Sequence, residues 1–114
     1  MKKLFTLIAA LMLYTSAQAQ QVSCYELADL VTSKGYYQAS DSFYSSSALS
    51  SITWYEVDGN YYALVQFTSS YTKYVYGGFS SYYDYSKVRN YIKNADSAGR
   101  AFHNSLGQYQ LSCY

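Results

Sequence analysis

Leu49-Ser50-Ser51-Ile52-Thr53-Trp54-Tyr55-Glu56-Val57-Asp58-Gly59-Asn60-Tyr61-Tyr62-Ala63-Leu64-Val65-Gln66-Phe67 decides the fold of this 114-residue chain. Large side chains alternate from Leu49 to Val57, with Ile52 and Trp54 on one face and Thr53 and Tyr55 on the other, as a strand requires. Asp58-Gly59 is a two-residue hairpin turn, because Gly accepts positive φ without strain. Asn60 to Phe67 is the return strand: Tyr61, Ala63, Val65 and Phe67 alternate with Tyr62, Leu64 and Gln66. Thr68-Ser69-Ser70 makes a second turn, Tyr71 to Tyr76 a third strand, and Gly77-Gly78 ends it. Three strands joined by short turns form an antiparallel meander.

Helices flank this unit. Ser23 to Lys34 begins with the capping-box pair Ser23 and Glu26, repeats Leu27, Leu30 and Val31 at helical spacing, and stops at Gly35. Tyr36 to Ala48 is rich in Ser and Tyr without a regular period and reads as a loop or an irregular edge segment. Beyond the meander, Ser86 to Asn94 places Val88, Tyr91, Ile92 and Ala95 on one stripe. A last helix starts at Asp96 or Ser97 and turns Ala98, Phe102, Leu106 and Tyr109 toward the sheet. The expected fold is α+β: a three-stranded antiparallel meander packed by two C-terminal helices on one face, plus an N-terminal helix.

Residues 1–19 have the layout of a secretory signal. Lys2 and Lys3 precede the apolar run Leu4–Tyr14, and Ala17-Gln18-Ala19 offers small residues for cleavage. The competing reading is a buried N-terminal helix. Later segments are too polar to span a bilayer. Cleavage after Ala19 leaves a chain with six Lys or Arg against seven Asp or Glu, a net of −1, where the whole sequence carries +1. That balance provides no electrostatic footprint for nucleic acid or an anionic membrane. The only two cysteines, Cys24 and Cys113, stand near the ends of the processed chain. In an oxidising compartment they are expected to form one disulfide. The localisation expected is periplasmic or secreted.

The order of motifs from Ser47 to Tyr109 resembles the KTSC domain, a module found at the C-terminus of some lysyl-tRNA synthetases and alone in small bacterial proteins. Ser51-Ile52 leads into Trp54, where the family shows Tyr; Ala63-Leu64-Val65-Gln66-Phe67 is similar to its L-x-V-x-F strand, and Tyr74-Val75-Tyr76 to its Y-x-Y. Ala95-Asp96-Ser97-Ala98-Gly99-Arg100-Ala101-Phe102 fits its A-x-S-x-G-x-x-F pattern, with Leu106 and Tyr109 following. Ala98 stands where the family carries Lys, and Gly77-Gly78-Phe79 replaces its Val-Pro. On this resemblance the chain divides into a signal (1–19), an N-terminal helix with a Ser/Tyr-rich segment (20–46) and a KTSC-like domain (47–114). The family has no established activity. The resemblance implies RNA binding through the synthetase context, which the missing Lys and the slightly acidic mature chain disfavour.

Composition points to recognition rather than catalysis. Sixteen of the seventeen tyrosines lie after Ala19, together with seventeen serines. A small core cannot hold sixteen phenols, and exposed Tyr among Ser is the combination that antibody loops use to bind diverse shapes. The candidate binding residues are Trp54, Tyr62, Tyr74, Tyr76, Tyr82 and Tyr83, on the sheet and in the Phe79–Tyr85 segment. Trp54, Tyr74 and Tyr76 also fit a core role beneath the helices. The expected partner is a protein, a peptide or a glycan, with no cofactor. Ser97, Gly99 and Phe102 form a structural motif in which Ser97 caps a helix and Gly99 permits close approach to a strand. His103 is the sole histidine and the only basis for a hydrolase reading; no nucleophile elbow accompanies it. One histidine, two cysteines assigned to a bridge and dispersed acids supply no metal-ligand set.

Overall fold

The computed structural model describes residues 22–114. The signal assigned to residues 1–19 lies outside the described residues. The elements run α1 (Cys24–Lys34), β1 (Tyr36–Ser42), β2 (Leu49–Val57), β3 (Asn60–Phe67), β4 (Lys73–Phe79), α2 (Tyr82–Lys93) and α3 (Ala98–Ser105), followed by a 3-10 turn at Gly107–Tyr109. The strands form one antiparallel sheet in the order β1-β2-β3-β4. The α+β class stands, but the sheet has four strands where the sequence reading had three.

The hairpin at the centre is as expected. Val57 pairs with Asn60 across Asp58 and Gly59, whose φ values are 50° and 85°. The additional strand, β1, shows that the first part of Tyr36–Ala48, read as a loop or an irregular edge segment, is an irregular edge strand. It pairs with β2 from Tyr36↔Glu56 to Ser42↔Ser51, with an irregularity between Tyr37 and Ala39. That irregularity changes which face the residues point to, so no alternation shows in the sequence. Another irregularity lies in the β3–β4 ladder, between Tyr61 and Tyr62, where Tyr62 pairs with Gly77 and Tyr61 with Phe79. Gly77 has a φ of 128°, and a Cβ there would come 2.7 Å from the Tyr61 carbonyl oxygen. Glycine is therefore required at this bend.

Both faces of the sheet are covered. On one face Leu49, Ile52, Trp54, Ala63, Val65 and Tyr76 pack against Tyr85, Ile92, Ala101, Phe102 and Leu106 from α2, α3 and the turn after it. On the other face Val57, Tyr62, Leu64 and Val75 meet Leu27 and Val31 of α1 and Leu111 of the C-terminal tail. Helix α1 carries the predicted capping box: Ser23 Oγ accepts the Glu26 N–H, and the Ser23 N–H donates to the Glu26 carboxylate. Helix α2 starts earlier than the sequence reading, at Tyr82 rather than Ser86. Ser81 is its cap, with Oγ accepting the Asp84 N–H at 3.1 Å. Arg89 of α2 reaches β1, where its Nε and Nη2 donate to Asp41 at 2.8 and 2.9 Å. This forked ion pair fixes α2 to the added strand.

Cys24 and Cys113 form a disulfide across 89 positions, with Cα atoms 4.9 Å apart. Main-chain bonds surround it: the Cys24 N–H donates to the Tyr114 carbonyl, and the Tyr114 N–H to the Val22 carbonyl. Upstream, the tail follows β4. Tyr76 bridges to Gln110, and the Leu111 N–H donates to the Val75 carbonyl at 2.9 Å.

Burial pushes the phenols of Tyr62, Tyr76 and Tyr85 above their ordinary value of about 10. For Tyr76 the neighbouring Tyr74 adds to the rise, whereas at Tyr85 Arg89 works against it. The folded state therefore holds these protons more tightly than the unfolded chain. The stability linked to them is intact below about pH 10 and is lost as pH rises through the raised values. Circular dichroism should stay flat to about pH 10 and fall above it, with Tyr62→Phe moving the alkaline midpoint upward. Unfolding that began below about pH 9 would contradict this account.

Candidate functional site

The six aromatic candidates do not form one patch. Trp54 has no exposed surface and packs edge-on to Tyr85, with ring centroids 4.9 Å apart. Tyr76 is buried against Phe102 at 5.0 Å, and Tyr74 is half-buried beside Phe67. Tyr62 lies in the core on the opposite face. Trp54, Tyr62 and Tyr76 thus offer no ring face to a partner, which corrects their place among the surface candidates. The cause is that helices and tail cover both sides of the sheet, so alternate positions are buried alike.

Tyr82 and Tyr83 are exposed, on the first turn of α2 rather than in a loop. Tyr82 leans on Tyr61 and Tyr85 at 6.2 and 5.5 Å, while Tyr83 faces outward. Tyr83 shares an open shelf with Lys87, Asn90 and Tyr91 along the outer side of α2.

The structural motif at α3 divides. Ser97 is the N-cap, its Oγ accepting the Arg100 N–H at 3.2 Å. Phe102 is buried between Tyr76 and Phe67. Gly99, however, approaches no strand closely. A Cβ there would meet Ser46 Oγ at 3.8 Å and the Ala48 Cβ at 3.9 Å, ordinary contact distances. Gly99→Ala should therefore stabilise the protein by about 0.5–1 kcal/mol through helix propensity and a less flexible unfolded chain. Thermal unfolding of that single variant checks it, and a lower midpoint would contradict the spacing seen here. His103 is exposed on α3, and its side chain takes part in no hydrogen bond among the described residues.

A better-built site lies where the sequence reading placed none. A groove of about 550 Å³ runs along α1, between that helix and the β3–β4 turn. Tyr25 enters from α1, Tyr71 from the turn and Tyr114 from the tail; they are 80%, 97% and 70% exposed. Leu64 and Cys24 lie among the lining residues, and both are buried. Polar groups come from Ser23, Asp29, Thr32, Thr72 and Lys73. The local sequence explains each tyrosine. Tyr25 follows the cap on the solvent side of the Leu27–Val31 stripe. Tyr71 stands in a turn closed by the Ser70 N–H to the Phe67 carbonyl and the Thr72 N–H to Ser70 Oγ. Tyr114 is held by its two main-chain bonds to Val22 and Cys24. The signal in the sequence was a tyrosine off the apolar stripe of its own helix, beside a cysteine expected to bridge to the other end.

Among the described residues no cluster of three or more His, Cys, Asp or Glu could hold a metal ion, and no helix is long and apolar enough to cross a membrane. Comparison of the chain with protein-family models, curated proteins and solved structures finds no match.

Proposed function

We propose that this protein is an exported, non-catalytic binding module of the periplasm or the cell exterior, and that its partner docks on the tyrosine-lined groove beside α1. One observation carries the reading. Three highly exposed tyrosines from three distant segments converge on a single concave site with buried Leu64 among its lining residues. Tyrosine combines a broad apolar face with a polar tip and loses little entropy on binding, so such a cluster is suited to recognition. The disulfide supports export, because that bond persists in oxidising compartments. Residues 1–19 supply the signal in this reading. In the same reading residues 47–114 are the KTSC-like part.

The test is capture from an envelope extract by the disulfide-bonded protein, in parallel with a Tyr25→Ser/Tyr71→Ser/Tyr114→Ser variant. A partner retained by the first and lost by the second is the expected result. Equal capture by both, with the variant's thermal unfolding unchanged, would remove the groove from the function.

A further inference from the structure

The chemistry around the groove narrows its occupant. Apart from Cys24, Ala28 and Leu64 its apolar residues are tyrosines. An amphipathic helix lays a row of apolar anchors into a hydrophobic groove, and here the aliphatic lining is limited to Ala28 and Leu64. An added peptide strand needs an open sheet border, and the border of β4 next to the groove is shortened by the tail, which binds at Val75 and Tyr76 through Leu111 and Gln110. Phenol rings and short oxygen-bearing side chains in one lining suit a pyranose ring, which has an apolar C–H face and a rim of hydroxyls. Thr32 Oγ1 donates to the Asp29 carbonyl at 3.1 Å, leaving its own lone pairs available to a ligand hydroxyl. The Asp29 carboxylate lies on the same wall, one helical turn before Thr32. The lining side chains include one acid, Asp29, and one base, Lys73, which balance, so these side chains favour a ligand without net charge.

We infer that the groove binds a neutral oligosaccharide, stacked on Tyr25, Tyr71 and Tyr114 with its hydroxyls met by Asp29 and Thr32. This inference rests on the groove being the binding surface proposed above. Amide chemical shifts of the disulfide-bonded, isotope-labelled protein test it. Cellohexaose, maltohexaose, chitohexaose and mannohexaose are titrated separately, beside a proline-rich decapeptide. The expected result is that at least one hexasaccharide moves the amides of Tyr25, Asp29, Tyr71 and Tyr114. Tyr71→Ser, a change at an exposed turn, should weaken that binding about tenfold, the loss of one stacking platform. Movement of the same amides by the peptide alone would overturn the oligosaccharide and leave the groove as the binding surface. Silence from every probe would also overturn the oligosaccharide. The groove itself fails only if the triple tyrosine variant still captures the extract partner.

Discussion

Replacing Cys24 and Cys113 together by serine should lower the unfolding free energy by about 4–5 kcal/mol, the chain-entropy value for a closed loop of this length. The bond joins positions 89 apart, so its removal frees almost the entire described chain in the unfolded state. For a protein of this size that corresponds to a fall of about 20 °C in Tm. Urea titration of the wild type and the double serine variant checks the figure, and a loss below about 1 kcal/mol would show that strain or residual unfolded structure cancels the constraint. The native tail should loosen as well. Tyr114 is held by main-chain bonds to Val22 and Cys24 next to the bridge, so the variant should lose one wall of the groove. Amide exchange at Leu111 and Tyr114 should accelerate more than at Val65 in the central strand β3.

Trp54→Ala should cost about 3–5 kcal/mol, the range for removing a fully buried large aromatic. Trp54 has no exposed surface and contacts both Tyr85 of α2 and Phe79 of β4, so its loss opens a cavity between sheet and helix. Trp54→Phe keeps a ring in the site and should cost less. Chemical denaturation of the two variants orders them. As the only tryptophan, it should give a blue-shifted emission that iodide does not quench. Ready quenching in the native protein, or a near-neutral alanine variant, would return Trp54 to the surface and overturn its assignment to the core.

The elements that were legible in the chain are those with strong local signals. Asp58-Gly59 between two alternating runs marked the hairpin, and Ser23 with Glu26 marked the start of α1. The two cysteines, with a signal-like leader before them, marked the bridge. β1 could be read only as a loop or an irregular edge segment because it is a border strand with a break at Gln38: its residues are half exposed, and its strand character comes from pairing with β2. The start of α2 was missed because Tyr82, Tyr83 and Tyr85 resemble a recognition loop, while the decisive cap is a single serine. Trp54, Tyr62 and Tyr76 were open to a surface reading because alternation separates two faces but does not reveal that both are covered. The groove was illegible for a different reason. Tyr25, Tyr71 and Tyr114 are neighbours only after the sheet forms and the tail returns to α1.

The two lateral borders of the sheet have a consequence for how copies of the protein meet at high concentration. A weakly charged chain with this much tyrosine has the composition that stacks readily into fibrils. Here one border is partly covered by the molecule's own tail, at Val75 and Tyr76, and the other is kinked near Gln38 and carries Asp41 turned inward to Arg89. Inward charges and kinks are devices that prevent one sheet from templating the next. Crowded copies of this protein should therefore remain separate particles, with their tyrosines free for other contacts.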